Sequence, residues 1–373
     1  MSIFDCMTCY DTVAQWTRAE VLWDDELHLG GKSVSQGHPL MDLGARDVAQ
    51  NTLTIGNLTV RYAYISQKGY YPTKPDHENQ DTCCVLEKFD RGSDHAKMFA
   101  GVFDGHGRFY EGQLCSKRVK ETLPLKLLEA MKQKRTLKSA FVSAFEATNR
   151  SLIRELGPKT NESGSSALAM VVTETNVTVS NCGDSRGLLG RRTKTIDGDL
   201  YLQPIELSKD HKPFRKDEIE RLLTNFPSTE ILTFGMQCGE AFISDDFGQQ
   251  DDPAVQTDPP RVWFKGKGYP GCVYTRSIGD AIAKQAGVIA TPEVISINLS
   301  PQDKVITLCS DGITEFLSNA DVMNICADHD DPLDACEELV QTAFKMYHQE
   351  DGRSDDITAI VLYLERNAGI EIS

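Results

Sequence analysis

The chain has 373 residues, 40% of them hydrophobic and 25% charged, with 28 Gly and 15 Pro. That composition excludes disordered, collagenous and low-complexity classes and leaves enough apolar residues for a sizeable core. Lys and Arg number 39 against 55 Asp and Glu, a formal net charge of −16, so a nucleic-acid backbone is a poor partner and cations or cationic groups are better ones.

Residues 1–58 mix polar turns with short apolar pieces and no sustained period, and are expected to form an N-terminal extension. From there β-branched and apolar runs predict strands at 58–65, 98–103, 168–173, 177–181, 273–276, 305–309 and 357–364. Apolar residues at three- and four-residue spacing predict helices over 112–134 and 137–156. Another is expected over 332–347, opening on Asp331-Pro332 and followed by Gly352. Ser318 to Asp321 reads as a capping-box start for one more. Several strands follow one another around 168–205 without a helix between them, which points to an α+β class with antiparallel sheet covered by helices. Residues 213–271 begin with an expected helix at 216–223. The stretch 225–271, rich in Gly, Pro and acids, predicts a long flap or insertion, and 367–373 a short tail. The eleven cysteines are scattered, odd in number and preceded by no secretory leader; reduced thiols in a cytoplasmic or nuclear protein are expected, the Cys6–Cys9 pair included. No apolar stretch approaches the roughly 20 residues of a membrane span.

Aspartates mark the strand ends. Asp104 ends the run Met98 to Phe103 and is followed by Gly105-His106-Gly107. Asp311 ends Val305 to Ser310 and is followed by Gly312. Asp184 follows Val177 to Gly183, Asp355 precedes the run from Ile357, and Asp81 precedes Thr82 to Leu86. One Asp-Gly after a strand is an ordinary turn signal. Several such acids converging on one rim would pile up negative charge that a bound cation relieves, and an all-oxygen ligand set selects hard ions such as Mg²⁺ or Mn²⁺ over Zn²⁺.

Seven segments carry a family resemblance: Val102 to Gly107, Gly164 to Ala167, Asn181 to Arg186, Leu207 to Pro213, Thr275 to Asp280, Cys309 to Gly312 and Asp355 to Thr358. In order and spacing they resemble the motif series of the metal-dependent protein phosphatase (PPM, type 2C) family, over about 60–366. The resemblance implies a four-layer αββα sandwich with two central antiparallel sheets flanked by helices. It also implies a two-ion Mg²⁺ or Mn²⁺ site with a third, weaker ion, and hydrolysis of phosphoserine and phosphothreonine in phosphoprotein substrates by a monomer. Carried over, Asp104 bridges the two ions, the Gly105 carbonyl ligates one, Asp311 and Asp355 complete one set, Asp81 serves the other side and Asp184 helps hold the third ion. A bridging water activated to hydroxide attacks phosphorus in line. His106 is the general acid for the leaving oxygen.

The sequence departs from that pattern at Gln80, where the family has Glu, and no Arg stands four residues earlier. Gln accepts hydrogen bonds from metal-bound waters without adding charge, so weaker metal affinity is expected on that side. Lys68 and Lys74 are then the nearest candidates to hold the phosphate. Glu315 stands where an Asp usually follows the Asp-Gly motif, and His211 is read as ordering the start of the flap. A catalytically weakened relative serving as a binding or scaffold module is the competing reading. A two-metal phosphodiesterase or nuclease is a further one, its nucleic-acid substrate opposed by the net charge of −16.

Overall fold

Strand pairing starts at β1 (Arg46–Ile55), which runs antiparallel to β2 (Leu58–Gln67) in a computed structural model that describes residues 46–74, 76–90, 97–108, 110–133, 136–239 and 258–367. β3 (Thr82–Leu86), β4 (Met98–Phe103) and the two-residue β5 (Gly105–His106) follow. Two long helices come next, α1 (Glu111–Lys132) and α2 (Leu137–Leu156), the second capped by Thr136, whose hydroxyl accepts from the Ser139 N–H. A run of strands succeeds them: β6 (Gly164–Ser165), β7 (Ala167–Val172), β8 (Asn176–Cys182), β9 (Arg186–Lys194) and β10 (Leu200–Glu206). The insertion contributes α3 (Lys216–Asn225), β11 (Thr229–Leu232), α4 (Phe234–Gln237), β12 (Arg261–Phe264) and β13 (Pro270–Cys272). After it come β14 (Ile278–Gly279), α5 (Ala281–Gln285), β15 (Glu293–Asn298) and β16 (Asp303–Cys309). Last are α6 (Asp311–Thr314), α7 (Asn319–Asp328), α8 (Pro332–Asp351) and β17 (Ile357–Arg366).

Side-chain alternation decides the layering. One sheet has six strands in the order β1-β2-β17-β16-β9-β10 and the other five in the order β15-β8-β7-β4-β3, every pair antiparallel. In β4, Met98, Ala100 and Val102 enter the core between the sheets, while Phe99 and Phe103 point the other way. β7 divides likewise, with Leu168, Met170 and Val172 against Ala167, Ala169 and Val171. The outer face of the five-stranded sheet is covered by α1 and α2 through Val119, Leu123, Phe141 and Phe145, all fully buried. Burying each such phenylalanine contributes roughly 1.5–3 kcal/mol. Ile360 and Leu362 of β17 line the inter-sheet core, and α8 packs on β2 and β17 from outside. These are the four layers of an αββα sandwich.

The helix punctuation works as its chemistry requires. Ser318 and Asp321 form a capping box, the Asp331 carboxylate accepts from Leu333 N–H beside Pro332, and Gly352 takes the left-handed conformation after α8. Three expectations are corrected. The six-stranded sheet begins at Arg46, so the boundary expected at 58 cuts through the β1–β2 hairpin; residues 1–45, with Cys6 and Cys9, lie outside the described residues. Residues 273–276 are not a strand: Arg276 makes a single parallel bridge to Ile289, and the strand beside them is Pro270–Cys272. The expected long loop at 225–271 instead holds the three-stranded sheet β11-β12-β13, packed around Leu222, Ile231, Val262, Ala283 and Val288. The acids Asp245, Asp246, Asp251 and Asp252 of that segment, and the tail from 368, lie outside the described residues. No disulfide joins the nine cysteines among the described residues to one another, and among these residues no helix is long and apolar enough to cross a membrane.

Candidate metal centre

At one rim of the sandwich, chain segments from both sheets deliver their acids to a common point. Asp104 lies between β4 and β5, Asp184 between β8 and β9, and Asp311 opens α6 directly after β16. Their carboxylate oxygens all lie within 4.8 Å of one another, with Asp184 buried and the other two half-buried. Asp311 can approach because Gly312 follows it: a Cβ there would meet the Asp356 carbonyl oxygen at 2.1 Å. This Asp-Gly step is a close backbone contact and not the turn that the dipeptide suggests by itself.

Asp81 and Asp355 join the same cluster from the starts of β3 and β17. Both add to the field that, behind burial and Asp311, pushes the Asp104 carboxyl well above its ordinary range. Burial first, and Asp356 second, push Asp81 up to about 8 against hydrogen bonds from Thr358 and Ser310. Asp355 is raised by burial and by Asp356, and Asp311 by burial and by Asp184. Asp184 runs the other way. Burial alone would raise it, but the Lys212 ammonium, in ion pair with its Oδ2, and then His106 hold it below the usual range.

A polar scaffold fixes these positions. Ser310 N–H donates to the Thr358 carbonyl, Thr358 N–H donates to Ser310 Oγ, and the Thr358 hydroxyl donates to Ser66 Oγ at 2.9 Å. Asp356 accepts from Gly69 N–H at 2.6 Å and Gln80 N–H at 2.8 Å, tying the end of β2 to the Gln80-Asp81 pair. The Tyr71 hydroxyl donates to Asp355 Oδ1 at 2.6 Å, and the Tyr71 ring packs on His77 with centroids 4.5 Å apart. Ser166 N–H donates to the Asp104 carbonyl at 2.8 Å, and the Ser166 hydroxyl pairs with Ser185 beside Asp184.

The donor set fits a divalent cation. Asp81 Oδ2 is buried with no hydrogen-bond partner among the described residues, an orphan that in a native fold calls for a ligand. It lies in a cluster whose carboxylates outnumber the cationic groups within reach, with only oxygen donors on offer. The second acidic group, Asp217, Glu218 and Glu293, is different in kind. Arg215, Arg221 and Arg276 neutralise it, with Arg276 and Arg221 both paired to the buried Glu218. This network fastens α3 to the segment before β14, and it has no need of an ion.

The other expected site residues are placed as follows. His106, in β5, is beside Asp184 and hydrogen-bonds Asp280 through Nε2 at 2.8 Å. Gln80 is buried next to Asp81, its Oε1 turned to the first turn of α1, where a Cβ on Gly112 would sit 1.9 Å from it. Lys68 is half-buried and immediately precedes Gly69, on the Asp355–Asp356 side, whereas Lys74 is exposed in the turn closed by Lys74 N–H on the Tyr71 carbonyl. Glu315 is exposed and accepts from the Tyr347 hydroxyl at 2.9 Å. His211 is fully buried, its Nδ1 on the Gly183 backbone and its carbonyl on Thr275, as suits the root of the flap. Lys212, Tyr71 and Asp280 were not singled out from sequence. Lys212 and Asp280 stood inside quoted motifs, but their partners are 28 and 174 residues away.

Four layers with carboxylates gathered at one end define a sandwich whose candidate centre is a divalent-metal site. The protein phosphatase 2C family model matches residues 73–230 and 271–352, and the stretch it skips coincides with the β11–β13 insertion. Probable protein phosphatase 2C 35 of Arabidopsis thaliana is 35% identical over 324 residues, covering 83% of this chain and 85% of the relative. Probable protein phosphatase 2C 64 of Oryza sativa subsp. japonica is 30% identical over 295 residues, covering 77% of this chain and 62% of the relative. In fold, a serine-threonine phosphatase 2C from Toxoplasma gondii superposes with a TM-score of 0.65 over 86% of this chain and 99% of that one, at 19% identity. The chain belongs to the protein phosphatase 2C family, and is by class a metal-dependent serine/threonine phosphatase.

Proposed function

We propose that the chain hydrolyses phosphoserine and phosphothreonine in proteins with two Mg²⁺ or Mn²⁺ ions held by Asp81, Asp104, the Gly105 carbonyl, Asp311 and Asp355, and a third, weaker one at Asp184. The supporting observation is the convergence of Asp104, Asp184 and Asp311 within 4.8 Å at a rim where Asp81 keeps an orphaned buried oxygen. Bound there, the ions would supply the positive charge this rim lacks and activate the attacking water.

The chain's own groups then have separate tasks. Asp104, whose carboxyl lies in the field of both Asp311 and Asp81, would be the acid shared by the two ions. Tyr71 and Asp356 hold Asp355 and the Gln80-Asp81 step in position. Lys212 gives Asp184 a fixed partner, which makes that corner the weakest for a cation. Lys68, half-buried beside the Asp355 segment, is better placed than the exposed Lys74 to meet the phosphate. His106 gives a proton to the serine or threonine oxygen as its bond to phosphorus breaks. Phosphate release from a phosphoserine peptide, measured with Mn²⁺ or Mg²⁺ and again with chelator, tests the reading. Release that depends on metal and disappears in Asp104→Asn is expected. No metal-dependent release from any phosphopeptide would overturn it and leave the binding-module reading.

A further inference from the structure

We propose that Asp280 is the positioning residue of the general acid: its carboxylate holds the His106 ring by Nε2, leaving Nδ1 to deliver the proton to the departing oxygen. This rests on the reading of His106 as the acid, and goes beyond it by naming the nitrogen and the group that fixes it.

Asp280 is only 2% exposed, a carboxylate buried outside the metal cluster. Its Oδ2 lies 2.8 Å from His106 Nε2, and its Oδ1 accepts from the Tyr274 hydroxyl at 3.1 Å. The Tyr274 ring in turn lies against the imidazole, centroids 4.4 Å apart and planes inclined by 35°. The ring is therefore held at one edge by Asp280 and on one face by Tyr274, and these two holders are themselves bonded to each other. Two restraints of this kind fix an imidazole in rotation and in tilt, which a single hydrogen bond does not.

The backbone carries a second mark. Asp280 is the one non-glycine residue with positive φ among the described residues, at φ 49° and ψ 55°. A left-handed conformation strains a side-chain-bearing residue, and persists where the surroundings over-determine it. Here Asp280 N–H donates to the Ser163 carbonyl and its own carbonyl accepts from Lys284 N–H, locking the corner that aims the carboxylate at His106. Glycine would take this corner without strain but would leave Nε2 without its acceptor.

In the reaction, the proton on Nδ1 passes to the ester oxygen as that oxygen's bond to phosphorus breaks. The oxygen of the attacking water bonds to phosphorus, and the proton it sheds goes to solvent. The ring is left neutral with Nε2–H still donating to Asp280, and solvent returns a proton to Nδ1 before the next turnover. Asp280 keeps its charge throughout and orients the ring without exchanging a proton with substrate.

The test compares Asp280→Asn with His106→Ala on a phosphoserine peptide, whose alkoxide leaves poorly, and on p-nitrophenyl phosphate, whose leaving group needs little protonation, at saturating Mn²⁺. Asp280→Asn is expected to lower kcat on the peptide by about 10–100-fold, the usual effect of a misplaced catalytic group, with a clearly smaller loss on p-nitrophenyl phosphate. The double variant is expected to be no worse than His106→Ala alone, and Tyr274→Phe to show a weaker form of the same asymmetry. Independently of activity, tautomer-sensitive ¹⁵N NMR of the metal-free full chain should find the neutral His106 ring protonated at Nε2. Equal losses on both substrates, additive losses in the double variant, or a ring protonated at Nδ1 would each overturn the assignment. Should wild type release no phosphate at all, the phosphatase reading fails, while the NMR result still decides whether Asp280 holds the ring.

Discussion

Asp104 and His106 are two residues apart, yet their substitutions should fail in different ways. Asp104→Asn keeps the side chain's shape and removes the charge that the proposed ions share, so activity should fall to background on good and poor leaving groups alike, in a Mn²⁺ titration of both substrates. His106→Ala should lower kcat on a phosphopeptide by about 10²–10⁴ and much less on p-nitrophenyl phosphate, as general acid catalysis requires. Gln80 allows a test without chemistry. Since a Cβ on Gly112 would lie 1.9 Å from Gln80 Oε1, Gly112→Ala should destabilise the fold by about 1–3 kcal/mol, the usual penalty of overpacking. Adding Gln80→Ala should restore part of that loss in urea melts. The rim acids were legible because each ends or begins a strand whose apolar run is easy to see. Asp280 and Lys212 were not, because a carboxylate–imidazole or ammonium–carboxylate pair between distant segments leaves no periodic trace.

Helix α3 shows how an element can be held by charge where apolar contact is scarce. Leu222 and Glu218 are its two buried residues, and Glu218 meets Arg221, Arg276 and the Thr275 hydroxyl. Burial by itself would raise the Glu218 carboxyl, but the guanidinium of Arg276 and then that of Arg221 bring it down from 4.5 to about 2. The folded value is depressed, so the stabilisation is present above pH 4.5 and is lost as pH falls towards 2. Glu218→Gln breaks a buried pair by removing one partner, a change that typically costs about 3–5 kcal/mol. The gap in melting temperature between wild type and Glu218→Gln should be widest near neutral pH and shrink from pH 4.5 downward; a gap that does not change with pH would deny Glu218 this role. The helix was legible at 216–223, whereas β11, β12 and β13 are three or four residues each, too short for alternation to register. Residues 273–276 have strand-like composition, but Thr275 bonds His211 and Ile289 backbone groups and Glu218 with its side chain, which leaves it no ladder.

Across the whole molecule the candidate ions would act as a clasp between the sheets. Asp81 and Asp104 adjoin strands β3 and β4 of the five-stranded sheet, Asp311 and Asp355 adjoin strands β16 and β17 of the six-stranded one, and Asp184 lies in the connection between β8 and β9. Cation binding should therefore raise the melting temperature of the entire sandwich in one transition, by a free energy of about 2.7 kcal/mol at 100 times the dissociation constant. Calorimetry with Mn²⁺ and with chelator checks this, and Asp104→Asn should abolish most of the rise; a shift confined to part of the transition would mean that the ions bind elsewhere. The layering was legible only through the resemblance of the motif series, since β4 and β7 are apolar at every position and show no alternation of their own, and the order of strands within each sheet was not legible, because pairing between distant segments is written in no local pattern. That order governs how the protein can be made. β17, the last strand in chain order among the described residues, lies between β2 and β16 and not at an edge. On the ribosome, a chain that has emerged only as far as Asp351 has neither the strand that joins the two halves of its sheet nor Asp355. Closure of this sheet is expected to wait for β17, with non-local pairings made late and slowly, and a chain ended at Asp351 should give neither a cooperative melting transition nor phosphate release.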